Sequence, residues 1–90
     1  MRRVMNDPKN FKVFKGIVKA HNKKHLMALI KLGIKILGND GNFNWIDTSE
    51  ITDMSWLFHN KSKFNGHIEL WDVSNVTNME LMFWRAEKFN

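Results

Sequence analysis

Ninety residues, 43% of them hydrophobic and including seven Phe and four Trp, can close one small core, burying about 60% of the unfolded surface. The chain has no cysteine, which excludes a disulfide framework and thiolate metal sites, and its formal net charge is +5. That charge is unevenly placed: residues 1–38 hold ten Lys or Arg against Asp7 alone, a net of +9, whereas residues 39–90 hold four basic and eight acidic residues, a net of −4.

Residues 1–10 read as a basic arm. Behind Met1-Arg2-Arg3 there is no apolar run, so no secretory signal is expected and a cytoplasmic location is the expectation. The longest apolar stretch, Leu26 to Leu37, carries Lys31 and Lys35 and is too short and too charged to span a bilayer. Residues 8–20 support two readings. Asp7 as N-cap and Pro8 at the first helical position can open a helix with Phe11, Phe14 and Val18 on one face. Alternatively, Phe11–Phe14 and Ile17–Ala20 are β-prone runs with Gly16 as the bulge or turn between them.

From Asn22 the pattern is helical. Asn22 can cap a helix running to about Leu37, and Gly38 stands where a left-handed cap is favoured. Leu26, Ile30, Ile34 and Leu37 line one face, widened by Met27, Leu29 and Ile36, while Lys24, Ala28, Lys31 and Lys35 fall on the other. Asn39-Asp40-Gly41-Asn42 is a turn-rich connector, and Phe43 and Trp45 follow it.

The remainder is one phrase written twice. Residues 47–65, DTSEITDMSWLFHNKSKFN, and 72–90, DVSNVTNMELMFWRAEKFN, align without a gap at a displacement of 25, with eight identities in nineteen positions. Average residue usage gives roughly one. A period in the twenties indicates a solenoid unit that must stack on a neighbour to bury its apolar face. In each copy a β-prone run (Ile46 and Ile51, or Trp71, Val73 and Val76) precedes apolar residues at helical spacing (Met54, Leu57 and Phe58, or Met79, Met82, Phe83 and Ala86). Thr52 and Thr77 stand where a hydroxyl can cap a first helical turn, and Thr77-Asn78-Met79-Glu80 has the capping-box pattern. Each unit is therefore expected to be a short strand, a corner, about two turns of helix and a Phe-Asn return. Met54, Met79 and Met82 are expected in the core.

The segments Trp71-Asp72-Val73-Ser74-Asn75-Val76-Thr77-Asn78-Met79 with Met82-Phe83, and Ile46-Asp47-Thr48-Ser49 with Ile51-Thr52-Asp53-Met54 and Leu57-Phe58, each closing in Phe-Asn, resemble the repeat of the BspA-like leucine-rich-repeat family. The match covers residues 43–90, and residues 16–42 resemble the segment that often precedes a first repeat. The resemblance implies a right-handed repeat stack that binds other macromolecules, and it supplies no catalytic residues. The expected fold class is accordingly α+β: a short leucine-rich-repeat-like solenoid of two repeats, at about 43–65 and 68–90. An N-terminal region, 1–42, with a strand and an amphipathic helix over about 22–37, caps it within one domain.

Nothing in the sequence calls for a cofactor, a metal or catalysis. His21 and His25 have a helical zinc spacing but lack the His-Glu-x-x-His pattern, and His59 and His67 sit in loops. Asp47, Asp53 and Asp72 recur with the repeat and fit turn bonding better than calcium binding. The expected function is non-enzymatic binding of a protein partner. Trp56, Trp84, Arg85 and Phe89 are its anchors, at a C-terminal edge that a second copy of the chain could also cover. Lys12, Lys15, Lys19, Lys23, Lys24, Lys31 and Lys35 form a basic cap that can steer association or follow a phosphate backbone. The alternative is a small intracellular inhibitor of the kind mobile genetic elements carry, anti-CRISPR-like, acting on a nucleic-acid-handling complex.

Overall fold

The structure, a computed structural model, describes residues 16–89. The expectations placed on residues 1–15, including Lys12, Lys15 and the choice of strand or helix before Gly16, lie outside the described residues. Among the described residues one helix and two short strands form an α+β arrangement.

Asn22 ends an extended segment and starts the helix. Its backbone is extended (φ −161°, ψ 176°), and its side-chain oxygen accepts the N–H of His25 at 2.8 Å. Helix α1 (Lys23–Leu37) ends at Gly38, whose φ of 86° suits glycine and whose N–H donates to the Ile34 carbonyl at 2.9 Å. Leu26, Ile30, Gly33 and Leu37 are buried, and Lys24, Ala28, Lys31 and Lys35 face water. Gly33 permits the helix to sit directly on an aromatic pair: a Cβ there would stand 2.5 Å from Phe43 Cε2 and 3.2 Å from Trp45 Cζ2.

Strand β1 (Val18–Lys19) pairs in parallel with β2 (Ile46–Asp47), Val18 opposite Ile46 and Lys19 opposite Asp47. Parallel strands need a crossover, and α1 with its connector provides it. The N–H groups of Val18 and Ala20 donate to the carbonyls of Trp45 and Asp47 at 2.8 and 3.0 Å.

The two copies of the sequence phrase share one set of turns. Hydrogen bonds from residue i+3 back to residue i close on Phe43, Thr48, Met54, Trp56, Phe58 and Lys61 in the first copy. In the second they close on Ile68, Val73, Met79, Leu81, Phe83 and Ala86, each 25 residues further on. Left-handed residues recur in the same register, Trp56 and Asn60 at φ 61° and Leu81 and Arg85 at φ 54° and 62°. These residues interrupt any helix, so the two turns of helix expected at Met54–Phe58 and Met79–Phe83 are absent, replaced by consecutive reverse turns. The capping expectation shifts by one residue for the same reason. Asp53 and Asn78, not the threonines, accept the N–H of Ser55 and Glu80 at 2.8 and 2.9 Å, as Asx turns, and the Thr77 hydroxyl instead donates to the Thr52 carbonyl at 3.2 Å.

A parallel ladder joins the copies. The N–H groups of Met54, Trp56, Phe58 and Asn60 donate to the carbonyls of Asn78, Glu80, Met82 and Trp84 at 2.8–3.0 Å. The Thr77 and Lys88 amides return to Thr52 and Ser62 at 2.8 and 3.1 Å, and the Thr48 hydroxyl donates to the Asp72 carbonyl at 2.9 Å. Inside the ladder the aromatic rings stack. Phe58 lies 4.4 Å from Phe64 and 5.3 Å from Phe83, and Phe83 lies 4.4 Å from Phe89, all within 19° of parallel.

Burial is asymmetric between copies that are otherwise alike. Met54, Leu57, Phe58 and Phe64 are fully buried between α1 and the second copy. Among the described apolar residues of the second copy only Met82 and Ala86 are buried, at 7% exposure each, whereas Met79, expected in the core, is 47% exposed. Met54 and Met79 sit in the same turn, so their surroundings and not their backbone separate them.

Candidate functional site

The turn row brings Trp56, Trp84 and Arg85 together at the surface. Trp56 is 39% and Trp84 44% exposed, their rings meet edge to face at 6.0 Å, and the Arg85 guanidinium lies 4.4 Å over the Trp84 ring. Trp56 and Arg85 both hold left-handed backbone, at φ 61° and 62°. His59 extends the cluster, its ring 5.2 Å from Trp56 and its Nδ1 2.9 Å from the Trp56 carbonyl oxygen. Arginine stacked on an exposed tryptophan offers a planar cation and a large apolar area at low ordering cost, the pairing that anchors protein interfaces.

Phe89 is not part of that cluster. It is half-buried in the Phe58–Phe64–Phe83 stack and borders an open groove of about 560 Å³ lined also by Asp40, Asn65, Gly66, His67, Ile68 and Glu69. His67 Nδ1 stands 3.4 Å from Glu69. The Glu69 carboxyl is held below its ordinary range by a hydrogen bond from its own backbone and, less, by His67. Among the described residues, the groove lining brings no nucleophile beside a base.

The lysines divide. Lys19 bonds Glu50 at 3.3 Å, and Lys23 donates to the Ser55 hydroxyl at 3.0 Å with Asp53 at 3.8 Å, so both are tied to the first copy. Lys24, Lys31 and Lys35 make no ion pair among the described residues and stand exposed on α1. His21 and His25 stack at 5.4 Å, and the His21 N–H donates to His25 Nδ1 at 3.2 Å. Among the described residues no group of three metal-ligating side chains converges, and no helix is long and apolar enough to cross a membrane.

Asp47, Asp53 and Asp72 carry structure. Each accepts the N–H of the serine two residues on at 2.8–2.9 Å, and these serine bonds hold the three carboxyls below the usual range, with Lys19 and Lys23 adding a smaller pull on the first two.

The C-terminal edge expected from the sequence with Trp84 and Phe89 carries further exposed apolar residues that the spacing did not single out. Leu70 (77% exposed), Val73, Met79, Leu81 and Phe83 (36%) lie open on the second copy beside Trp84.

Neither curated proteins nor solved structures yield a significant match. A family model does: the one described as a Mycoplasma protein of unknown function, DUF285, matches residues 31–90, which span the end of α1 and both copies of the phrase. With two thirds of its length matched, the chain belongs to the DUF285 family.

Proposed function

We propose that this chain is a non-enzymatic protein-recognition module, a short BspA-like, leucine-rich-repeat-like stack of two 25-residue layers roofed by α1. The observation that carries the reading is the outer layer's apolar face, with Leu70, Val73, Met79, Leu81, Phe83 and Trp84 all exposed next to the Arg85–Trp84 pair. Monomeric proteins seldom leave so contiguous a set of large apolar residues in water unless something docks there. The shared turns and the ladder between the copies support the layered architecture.

In this reading Trp56, Trp84 and Arg85 anchor the partner, Phe89 supports the ring stack beneath it, and Lys24, Lys31 and Lys35 supply long-range attraction to an acidic surface. The inhibitor reading, in which the lysine cap meets a nucleic-acid complex, is weakened by Lys19 and Lys23 turning to Glu50 and Asp53.

Affinity capture from the native cell followed by mass spectrometry tests the proposal, with a Trp84→Ala/Arg85→Ala chain of unchanged circular dichroism as control. A partner retained by the native chain and lost with the variant is expected. Equal retention by both, or retention that disappears with nuclease treatment, overturns the assignment of these residues.

A further inference from the structure

A cleft of about 190 Å³ opens between α1 and the first copy, walled by Met27, Ala28, Ile30 and Lys31 from the helix and by Leu57 and Lys61 from the turn row. The helix residues stand at spacings of three and four and so share one surface, where the short Ala28 side chain leaves room that a longer one would fill. Leu57 and Lys61 each close a reverse turn, their N–H groups donating to the Met54 and Phe58 carbonyls at 3.3 and 3.1 Å, and successive turns bring both to the cleft. Ile30 and Leu57, each 1% exposed, give it an apolar floor, whereas Met27 is 42% exposed. Lys31 is exposed and Lys61 half-buried, and among the described residues neither ammonium group has an ion-pair partner, although Lys19 and Lys23 both reach acidic neighbours.

We propose, building on the recognition reading above, that this cleft receives one aromatic side chain of a polypeptide partner, flanked in the partner's chain by carboxylates that meet Lys31 and Lys61. Size selects the ring: a dry cavity of about 150 Å³ holds benzene, whereas sites for whole small molecules run to about 300–1,000 Å³. One ring therefore fills the cleft, and a metabolite of ordinary size does not fit. Charge selects the flank: two ammonium groups beside an apolar floor make the approach positive, and Lys24 and Lys35, exposed on the same helix, extend that field. A carboxylate on either side of the ring gives each lysine the partner it lacks, and a cation there is repelled. The second copy contributes no wall, so the cleft is complete within α1 and the first copy.

The test uses the full 90-residue chain and, as probe, a capped synthetic peptide with phenylalanine at its centre, an aspartate on each side and glycine at both ends. Binding is read from methyl chemical shifts at Met27, Ala28, Ile30 and Leu57. One buried ring and two ion pairs at the rim put the expected Kd on the order of 1 mM, with saturable shifts at those methyls. Replacing both aspartates by asparagine, or making Lys31→Glu/Lys61→Glu in the chain, should weaken binding about tenfold. An alanine-centred peptide should not bind, and Ala28→Trp, with circular dichroism unchanged, should close the cleft. No shift at about 5 mM peptide, equal binding of the asparagine or alanine peptide, or an equal loss from Lys24→Glu/Lys35→Glu overturns the proposal; the last result would leave only long-range attraction to α1. If the cleft fails while partner capture still depends on Trp84 and Arg85, only the cleft assignment falls and the recognition module stands.

Discussion

The asymmetry between the two copies can be measured by cutting the same ring from each. Phe58 and Phe83 are equivalent positions with the same turn, but Phe58 is fully buried and Phe83 is 36% exposed. Phe58→Ala removes a fully buried ring stacked on Phe64 and Phe83 and leaves a cavity between the two copies, costing about 3–5 kcal/mol. Phe83→Ala loses about two-thirds of a buried ring's transfer energy, and the gap opens to water instead of forming a void, so the cost is about 1–2 kcal/mol. The difference, about 2 kcal/mol, is large against the total of roughly 5–13 kcal/mol for a chain of this size. It corresponds to a Tm gap of about 8–16 °C, easily resolved by thermal or urea unfolding followed by tryptophan fluorescence. Equal costs, within about 0.5 kcal/mol, would refute the reasoning: the outer face would then be covered in solution and the two copies thermodynamically alike.

Other perturbations separate competing effects. Gly33→Ala gains about 1 kcal/mol of helix propensity but drives a methyl into Phe43 Cε2, where overpacking costs about 1–3 kcal/mol; a lower urea midpoint at unchanged slope is expected. Leu81 holds φ 54°, so Leu81→Gly should be neutral to about 1 kcal/mol stabilising and Leu81→Ile destabilising, as read by Tm. Because the serine bonds depress the Asp47, Asp53 and Asp72 carboxyls in the folded chain, their stabilisation is fully present above the ordinary carboxylate value of 3.8. It is lost as pH falls from there through the lowered folded values. Asp47→Asn/Asp72→Asn keeps the acceptor oxygen, as Asn78 does for Glu80, so it should change little at pH 7 and flatten the acid limb of a Tm–pH profile.

Residue spacing made the helix and the repeat visible. Asn22 and Gly38 bracket α1 because a side-chain oxygen and a freely rotating glycine are the groups that helix ends require, and the 25-residue period needs only identities to be seen. The turns were hidden because Trp56, Leu81 and Arg85 occupy left-handed backbone without the glycine that ordinarily marks it. Met54, Leu57 and Phe58 have helical spacing, yet consecutive turns place them on the same inner side. Burial of Met79 was misjudged because a side chain's environment depends on what packs against it from elsewhere, which no local pattern encodes. The Trp84–Arg85 contact was equally out of reach, since adjacency in sequence does not tell which way either side chain leaves the backbone.

The ladder also fixes how the molecule yields to force. Its bonds all cross from one copy to the other, so tension applied at residue 89 against residue 16 loads the outermost bonds first, at Lys88–Ser62 and Asn60–Trp84, and then each in turn. The outer copy would peel away like a zip at low force, while α1 and the first copy, clamped around Phe43, Phe58 and Phe64, hold until the seam is open.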